Sequence, residues 1–252
     1  MRNGTAERLR VATYNVHGCR GMDRRRSEQR IAEVIAALDV DVIGLQELDL
    51  NRRRSAGVDQ AAAIGDRLGW HRYFHPALRV GDEQFGDAIL SRYPMRLRQA
   101  KELPSVTTRV CPEPRAAIWM EVETPRGAVQ VINTHFGLGR RERFMQAELL
   151  AGAEWLGCVE TNAPLILMGD LNSLPGSPPF LLLSRQLRDI RTLVSPVPRL
   201  KTFPTRFPSV AVDHIFVNGR LRVNSVVVVC TPETRIASDH FPLVADLHQV
   251  DE

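Results

Sequence analysis

Apolar residues recur along this chain in two rhythms. Ile31, Val34, Ile35 and Leu38 fall three and four apart, the spacing of one helical face, and Ser27 stands where it could cap that helix. A second helix is expected from about Asp59 to Leu68. A third should run from Arg141 to about Cys158 and end before Pro164. The other rhythm is that of strands. Runs of strand composition cover Arg10 to Val16, Val40 to Gln46, Asp87 to Arg92, Ala116 to Glu123, Ala128 to Thr134, Leu165 to Gly169, Ala211 to Asn218 and Leu221 to Cys230. In one of them Val129, Val131 and Asn133 alternate with Gln130, Ile132 and Thr134, so at least one face should be buried.

Strands arriving in groups, rather than strictly alternating with helices, predict an α/β (α+β) protein with mixed or antiparallel sheets flanked by helices. No fixed period marks a repeat protein. One domain over residues 9–250, preceded by a flexible N-terminus at residues 1–8, is the simplest organisation. Within this pattern, polar residues of chemical interest close apolar runs. They are Asn15 and His17, Gln46-Glu47, Asn133-Thr134-His135, and Gly169-Asp170-Leu171-Asn172. A chain that needed only a core would not place them there repeatedly.

Composition narrows the class. Hydrophobic residues at 44% and charged residues at 25% exclude a disordered chain. The N-terminus lacks the apolar stretch of a signal peptide, and no run approaches the ~20 residues of a membrane span, so a cytoplasmic location is expected. Cys19, Cys111, Cys158 and Cys230 lack metal or redox spacing and read as free thiols. The net charge of +4 is carried almost wholly by arginine, with lysine only at Lys101 and Lys201. The arginine runs at residues 24–26 and 52–54 read as solvated loop faces, so charge alone assigns no nucleic-acid partner.

Hydrolysis of a phosphate ester needs a cation for the phosphoryl oxygens, a group that activates water and groups that stabilise the departing oxygen. Glu47 and Asp239 are hard oxygen donors suited to Mg²⁺ or Mn²⁺, and the lack of a Cys or His cluster argues against zinc. Asp170 is placed to activate water, with Asn172 close enough to position it. Ser238-Asp239-His240 sets an imidazole beside a metal-binding acid, and His135 is a second imidazole for the leaving group. Each residue also has an ordinary reading: Glu47 as an exposed acid, Asn15 and Asp170 as turn residues, Asn172 as a cap, His135 as a core histidine. Tyr14, Phe136, Ile215 and His214 read as packing, and His17 stays open between packing and function.

Taken in order, these motifs resemble the endonuclease/exonuclease/phosphatase family, which includes DNase I, apurinic endonucleases, inositol-polyphosphate phosphatases and neutral sphingomyelinases. The resemblance runs through Thr13-Tyr14-Asn15-Val16, Gln46-Glu47, Gly86-Asp87-Ala88-Ile89-Leu90-Ser91-Arg92, Asn133-Thr134-His135-Phe136, Gly169-Asp170-Leu171-Asn172, Val212-Asp213-His214-Ile215 and Ser238-Asp239-His240. It is nearest to small bacterial members that share the pattern from Asn51 to Gln60 and Thr202-Phe203-Pro204. The resemblance implies a four-layer αββα sandwich, with two mixed sheets face to face and helices outside. It implies that Asn15 and Glu47 anchor the metal, that Asp213 orients His240, that Arg115 contacts substrate phosphate and that His135 is the second histidine of the DNase-like and phosphatase-like branches. Asp87 departs from the asparagine usual in those relatives, which leaves open a second cation, a contact to His135 or repulsion of an anionic substrate.

The expected function is therefore a divalent-metal-dependent phosphodiesterase or phosphatase acting on a small molecule or lipid headgroup, as a monomer that could touch lipid peripherally. A metal-dependent nuclease is the alternative, and a non-catalytic phosphate-binding module the third reading.

Overall fold

The computed structural model describes residues 8–106, 113–196 and 200–250. Cys111 and all but Arg8 of the expected N-terminal tail lie outside them. Twelve strands form two six-stranded sheets. In chain order they are β1 (Leu9–Asn15), β2 (Val42–Leu50), β3 (His71–Val80), β4 (Glu83–Ser91), β5 (Met95–Glu102), β6 (Ala116–Thr124), β7 (Gly127–His135), β8 (Leu165–Asp170), β9 (Arg188–Asp189), β10 (Asp213–Val217), β11 (Leu221–Val228) and β12 (Leu243–Gln249). One sheet has the order β11-β12-β1-β2-β4-β3, the other β5-β6-β7-β8-β10-β9. Each contains a single parallel pair, β1 with β2 and β7 with β8, among antiparallel neighbours.

The sheets pack through their inner faces, where Val11, Val42 and Ile89 of one meet Ile118, Val131, Met168 and Ile215 of the other. Helices α1 (Glu28–Leu38) and α2 (Gln60–Leu68) bury Ile31, Ile35 and Ile64 against the outer face of the first sheet. Helix α3 (Arg140–Ala151) and the short α4 (Pro178–Leu183) bury Leu150 and Leu183 against the outer face of the second. Four layers result. Ser27 Oγ accepts the Arg30 amide at 3.1 Å and caps α1, and Asp59 Oδ1 does the same for α2 at the Ala62 amide, 2.9 Å away. A fifth helix, α5 (Pro232–Ala237), starts with a reciprocal cap between Thr231 and Thr234.

Three features differ from the sequence expectation. Helix α3 does not reach Cys158, because the backbone turns extended at Gly152 and only a 3-10 turn follows at Leu156–Cys158. Strands β3 and β5 are absent from the pattern because they are sheet edges with largely exposed, polar faces, β9, α4 and α5 are short, and the mostly buried β12 was not anticipated either. Finally, β2 does not stop at Gln46. It continues through Glu47 to Leu50 by way of a bulge, in which Gln46 and Glu47 together oppose Asp87 of β4.

Leu45 and Ala88 form the last regular pair before the bulge, and a side chain from the opposite sheet meets both of their carbonyls. Asn133 Nδ2 donates to Leu45 O and Ala88 O at 3.0 Å each, while its Oδ1 accepts Gln46 Nε2 at 2.7 Å. All of these groups are buried. Gly44 makes room for this crossing, since a Cβ there would lie 2.5 Å from Asn133 Oδ1. Replacing Asn133 with Ala removes three hydrogen bonds between buried groups, two to the carbonyls and one from Gln46 Nε2, which keeps only its bond to Thr13 Oγ1. The expected loss is about 3 kcal/mol of unfolding free energy, at an average of about 1 kcal/mol per group, measured as a lower urea midpoint with an unchanged slope.

Candidate active site

Along the inner face of five strands, every second residue passes from apolar to polar at the same end of the sandwich. The series are Val11-Thr13-Asn15, Ile89-Asp87, Val131-Asn133-His135, Met168-Asp170 and Ile215-Asp213. Asn15, His135, Asp170 and Asp213 are thus terminal inward positions of their strands, whereas Asp87 lies within β4 beside the bulge. Asn15, Asp87, His135, Asp170, Asp213 and His240 are all at least nine-tenths buried.

Asp170 is the hub. Its Oδ2 accepts Asn15 Nδ2 at 3.1 Å and lies 3.5 Å from His135 Nε2 and 3.7 Å from His240 Nε2, while its Oδ1 accepts the Asn172 amide at 2.9 Å. Asp213, the cross-strand partner of Asp170, holds His240 Nδ1 at 2.9 Å through Oδ2. The Phe203 ring packs against the His240 ring with centroids 4.6 Å apart. Ser238 Oγ donates to Asn15 O at 2.8 Å, which brings the Ser238-Asp239-His240 segment against β1.

Glu47 sits in the bulge with φ of +64°, a left-handed conformation that turns its carboxylate out of the strand and toward Asn15. Asn15 Nδ2 donates to Glu47 Oε1 at 3.0 Å, and Asn15 Oδ1 accepts the His17 amide. Asn15 therefore presents its amide nitrogen, not its oxygen, to the carboxylates. Asp87 Oδ1 accepts the Glu47 amide at 3.3 Å. Arg115 is 4% exposed, pairs loosely with Glu113 at 3.5 Å and leaves Nε unpartnered. His17 Nδ1 lies 3.6 Å from Asp239 Oδ1.

Electrostatics divides the two histidines. Burial alone would lower His240, but the charges of Asp213 and Asp170 raise it to about 10. His135 is driven well down by burial, then by the charges of Arg115 and His240. Because Asn172 Nδ2 donates toward His135 Nε2, this neutral ring carries its proton on Nδ1, which is buried without a partner. Burial first, and then the Asp213 charge, raise Asp170, and burial lifts Asp87 to about 7 against the pull of Arg115.

Asp170, Asp213 and His240 offer ligand atoms within 4.8 Å of one another. A protonated imidazole has no lone pair for a cation, so this cluster fits proton handling. Glu47 and Asp239, the ligands expected from the sequence, offer the hard oxygen donors that a divalent cation takes. Both are partly accessible carboxylates, and among the described residues neither forms an ion pair with Arg or Lys.

The sequence motifs do not reveal the supporting roles of Asn133, Ser238 and Phe203, although all three lie within the quoted segments. The reading of residues 52–54 as a solvated face needs correction. Arg54, with its side chain still 41% exposed, makes three hydrogen bonds to the buried Asp49, Arg52 reaches Asp49 and Glu83, and Arg53, at 97% exposure, is the most solvated of the three and lies 3.6 Å from Glu83. A buried carboxylate after the bulge recruits the guanidinium groups.

The model of the "Endonuclease/Exonuclease/phosphatase family" matches residues 12–240. Protein YbhP of Escherichia coli (strain K12) is 27% identical over 95% of this chain and 96% of its own length. Among solved structures, an endonuclease/exonuclease/phosphatase from Beutenbergia cavernae DSM 12333 superposes with a TM-score of 0.78 at 24% identity, covering 96% of this chain and 72% of the other. A mannosyl-6-phosphatase from Bacteroides thetaiotaomicron VPI-5482 gives 0.75 at 23% identity, covering 95% and 99%.

The raised His240 carries a stability consequence. A group lifted from 6.5 to about 10 on folding adds stability that is complete below pH 6.5 and is lost as pH rises through 10. Between neutrality and pH 10 the melting temperature of the wild type should fall more than that of His240→Gln, as followed by circular dichroism.

Proposed function

The chain belongs to the endonuclease/exonuclease/phosphatase family, and from that premise we propose that it is a divalent-metal-dependent hydrolase of phosphate esters. The observation that carries this reading is the convergence on Asp170. A buried carboxylate, raised by burial, lies beside a protonated His240 and is held by two asparagines.

Asp170 accepts a proton from the attacking water, a task suited to an acid lifted from its ordinary range toward neutrality. Asn172 fixes Asp170 through its backbone amide. His240, kept cationic by Asp213, presents Nε2 to a phosphoryl oxygen and stabilises the charge that develops there. Arg115 adds a second positive group on the His135 and Asp87 side. As held, His135 Nε2 is an acceptor, which assigns His135 to positioning Asn172 rather than to protonating the leaving group. Glu47 and Asp239 would hold the cation, with Asn15 steadying Glu47 and Asp87 fixing the bulge that aims it. Bound there, Mg²⁺ or Mn²⁺ would supply positive charge for the phosphoryl oxygens and favour ionisation of water.

For substrate we favour a small phosphomonoester or phosphodiester, lipid headgroups included, over nucleic acid. The arginine run at residues 52–54 is largely tied to Asp49 and Glu83, so it offers little free charge to a phosphate backbone. The mannosyl-6-phosphatase, similar in fold, is named for a small sugar phosphate. A nuclease would instead bind polynucleotide with a steep salt dependence.

The first test is p-nitrophenol release from p-nitrophenyl and bis-p-nitrophenyl phosphate with Mg²⁺, Mn²⁺ or EDTA. Activity should require metal, and Asp170→Asn should lower turnover at least ~10²-fold. Near-normal turnover in that variant would remove Asp170 from its role. Glu47→Gln should raise the metal concentration needed for half-maximal rate, whereas an unchanged requirement would place the cation elsewhere.

A further inference from the structure

Strand β10 places Asp213 on the inner face and its neighbour His214 on the outer, and the mechanism above uses only the first. His214 is fully buried between Phe180 of α4, whose ring centroid lies 5.2 Å away, and Phe216, at 5.9 Å. Its polar contacts form a chain. Asp189 takes Arg191 Nε and Nη2 at 2.8 and 2.6 Å, Arg191 Nη2 meets His214 Nδ1, and His214 Nε2 lies 2.7 Å from the Ser173 carbonyl. Asp189, Arg191 and Ser173 are each at least nine-tenths buried.

The chemistry of the chain fixes its direction. A backbone carbonyl only accepts, so Nε2, 2.7 Å from Ser173 O, carries the imidazole proton, and Nδ1 faces the Arg191 guanidinium with Asp189 Oδ2 3.6 Å away. Burial pushes His214 down, which keeps the ring neutral. The acceptor it reaches belongs to the residue after Asn172, whose φ of +46° places it in the left-handed region. That turn carries the Asn172 amide that fixes Asp170 Oδ1 and the Asn172 side chain that meets His135 and Phe136 O.

We propose that His214 is a positioning residue for catalysis, whose Nε2–H holds the Ser173 carbonyl and thereby the Asn172 turn, with Arg191 and Asp189 selecting the required tautomer. The catalytic reading of Asp170 and Asn172 is its premise. Adjacent residues of one strand then serve one centre from both sides: Asp213 orients His240 from within, and His214 braces the water-positioning turn from behind. Simple packing would need only a ring of this size. The donor on Nε2 distinguishes the two roles.

The test compares His214→Gln, whose side-chain amide nitrogen can replace the Nε2 donor, with His214→Phe, which keeps the ring and loses the donor. With bis-p-nitrophenyl phosphate, His214→Phe should lower kcat about tenfold or more with KM within twofold, and His214→Gln should recover most of kcat. Hydrogen exchange at the Asn172 amide should speed up in His214→Phe while amides inside β8 and β10 stay protected. This readout needs no turnover, so it separates failure of the positioning role from failure of the hydrolase reading. Equal impairment in both variants, or unchanged Asn172 exchange in His214→Phe, would reduce His214 to packing. If His214→Phe does not fold, the nitrogen-15 spectrum of the wild-type ring decides. A proton on Nε2 supports the proposal and a proton on Nδ1 overturns it.

Discussion

The hydrogen bonds that cross from Asn133 to the bulge in β2 are the constraint on which the remaining geometry depends. A bulge sets two residues against one and leaves main-chain groups without ladder partners, which is tolerable in a buried sheet only if something else satisfies them. Here Asp87 of the neighbouring strand accepts the Glu47 amide, and Asn133 of the facing sheet binds both carbonyls of the pair that flanks the bulge. The left-handed conformation of Glu47, unfavourable for an ordinary residue, is thereby built into the core rather than left to a loop. The same contact fixes one sheet on the other at the end where Asp170 and His135 from the second sheet must meet Asn15 and Glu47 from the first.

That placement explains the electrostatics. Asp170 and Asp213 are opposite one another across an antiparallel pair, so two buried acids lie close together. Two like charges at that depth would be costly, and His240 relieves the cost by remaining protonated between them. On the far side of Asp170, burial keeps His135 neutral, and the positive charges of Arg115 and His240 add to that. One carboxylate therefore has a cationic and a neutral imidazole on its two sides.

Much of this was legible in the sequence where residue type and strand period coincide. Val131-Asn133-His135 shows an inward column turning polar, Ile31 to Leu38 shows the face of α1, and the ordered motifs imply the sandwich. Glu47 looked like a residue after a strand because bulges have no signature in hydrophobic pattern; only the coordinates show two residues sharing one partner. Edge strands β3 and β5 were hidden because solvent on their exposed faces removes the alternation. The ties of Arg52 and Arg54 were hidden for another reason. A charge run looks the same whether its counter-ion is water or a buried Asp49 three to five residues earlier in the chain.

His214 shows the limit of residue-by-residue reading most sharply. On an apolar strand it is reasonably taken as packing, and its aromatic neighbours agree with that. Yet the period of two that sends Asp213 into the cleft necessarily sends His214 outward, where a purely apolar layer would be satisfied by phenylalanine. The outer layer instead holds a buried Asp189–Arg191 pair, and such a pair is seldom retained for stability alone, since apolar residues of the same volume often do as well. What an arginine offers that an apolar residue does not is a donor that fixes one tautomer of the ring beside it. The orientation of a single proton at Ser173 is then a reason for the fold to keep two charges in its outer core.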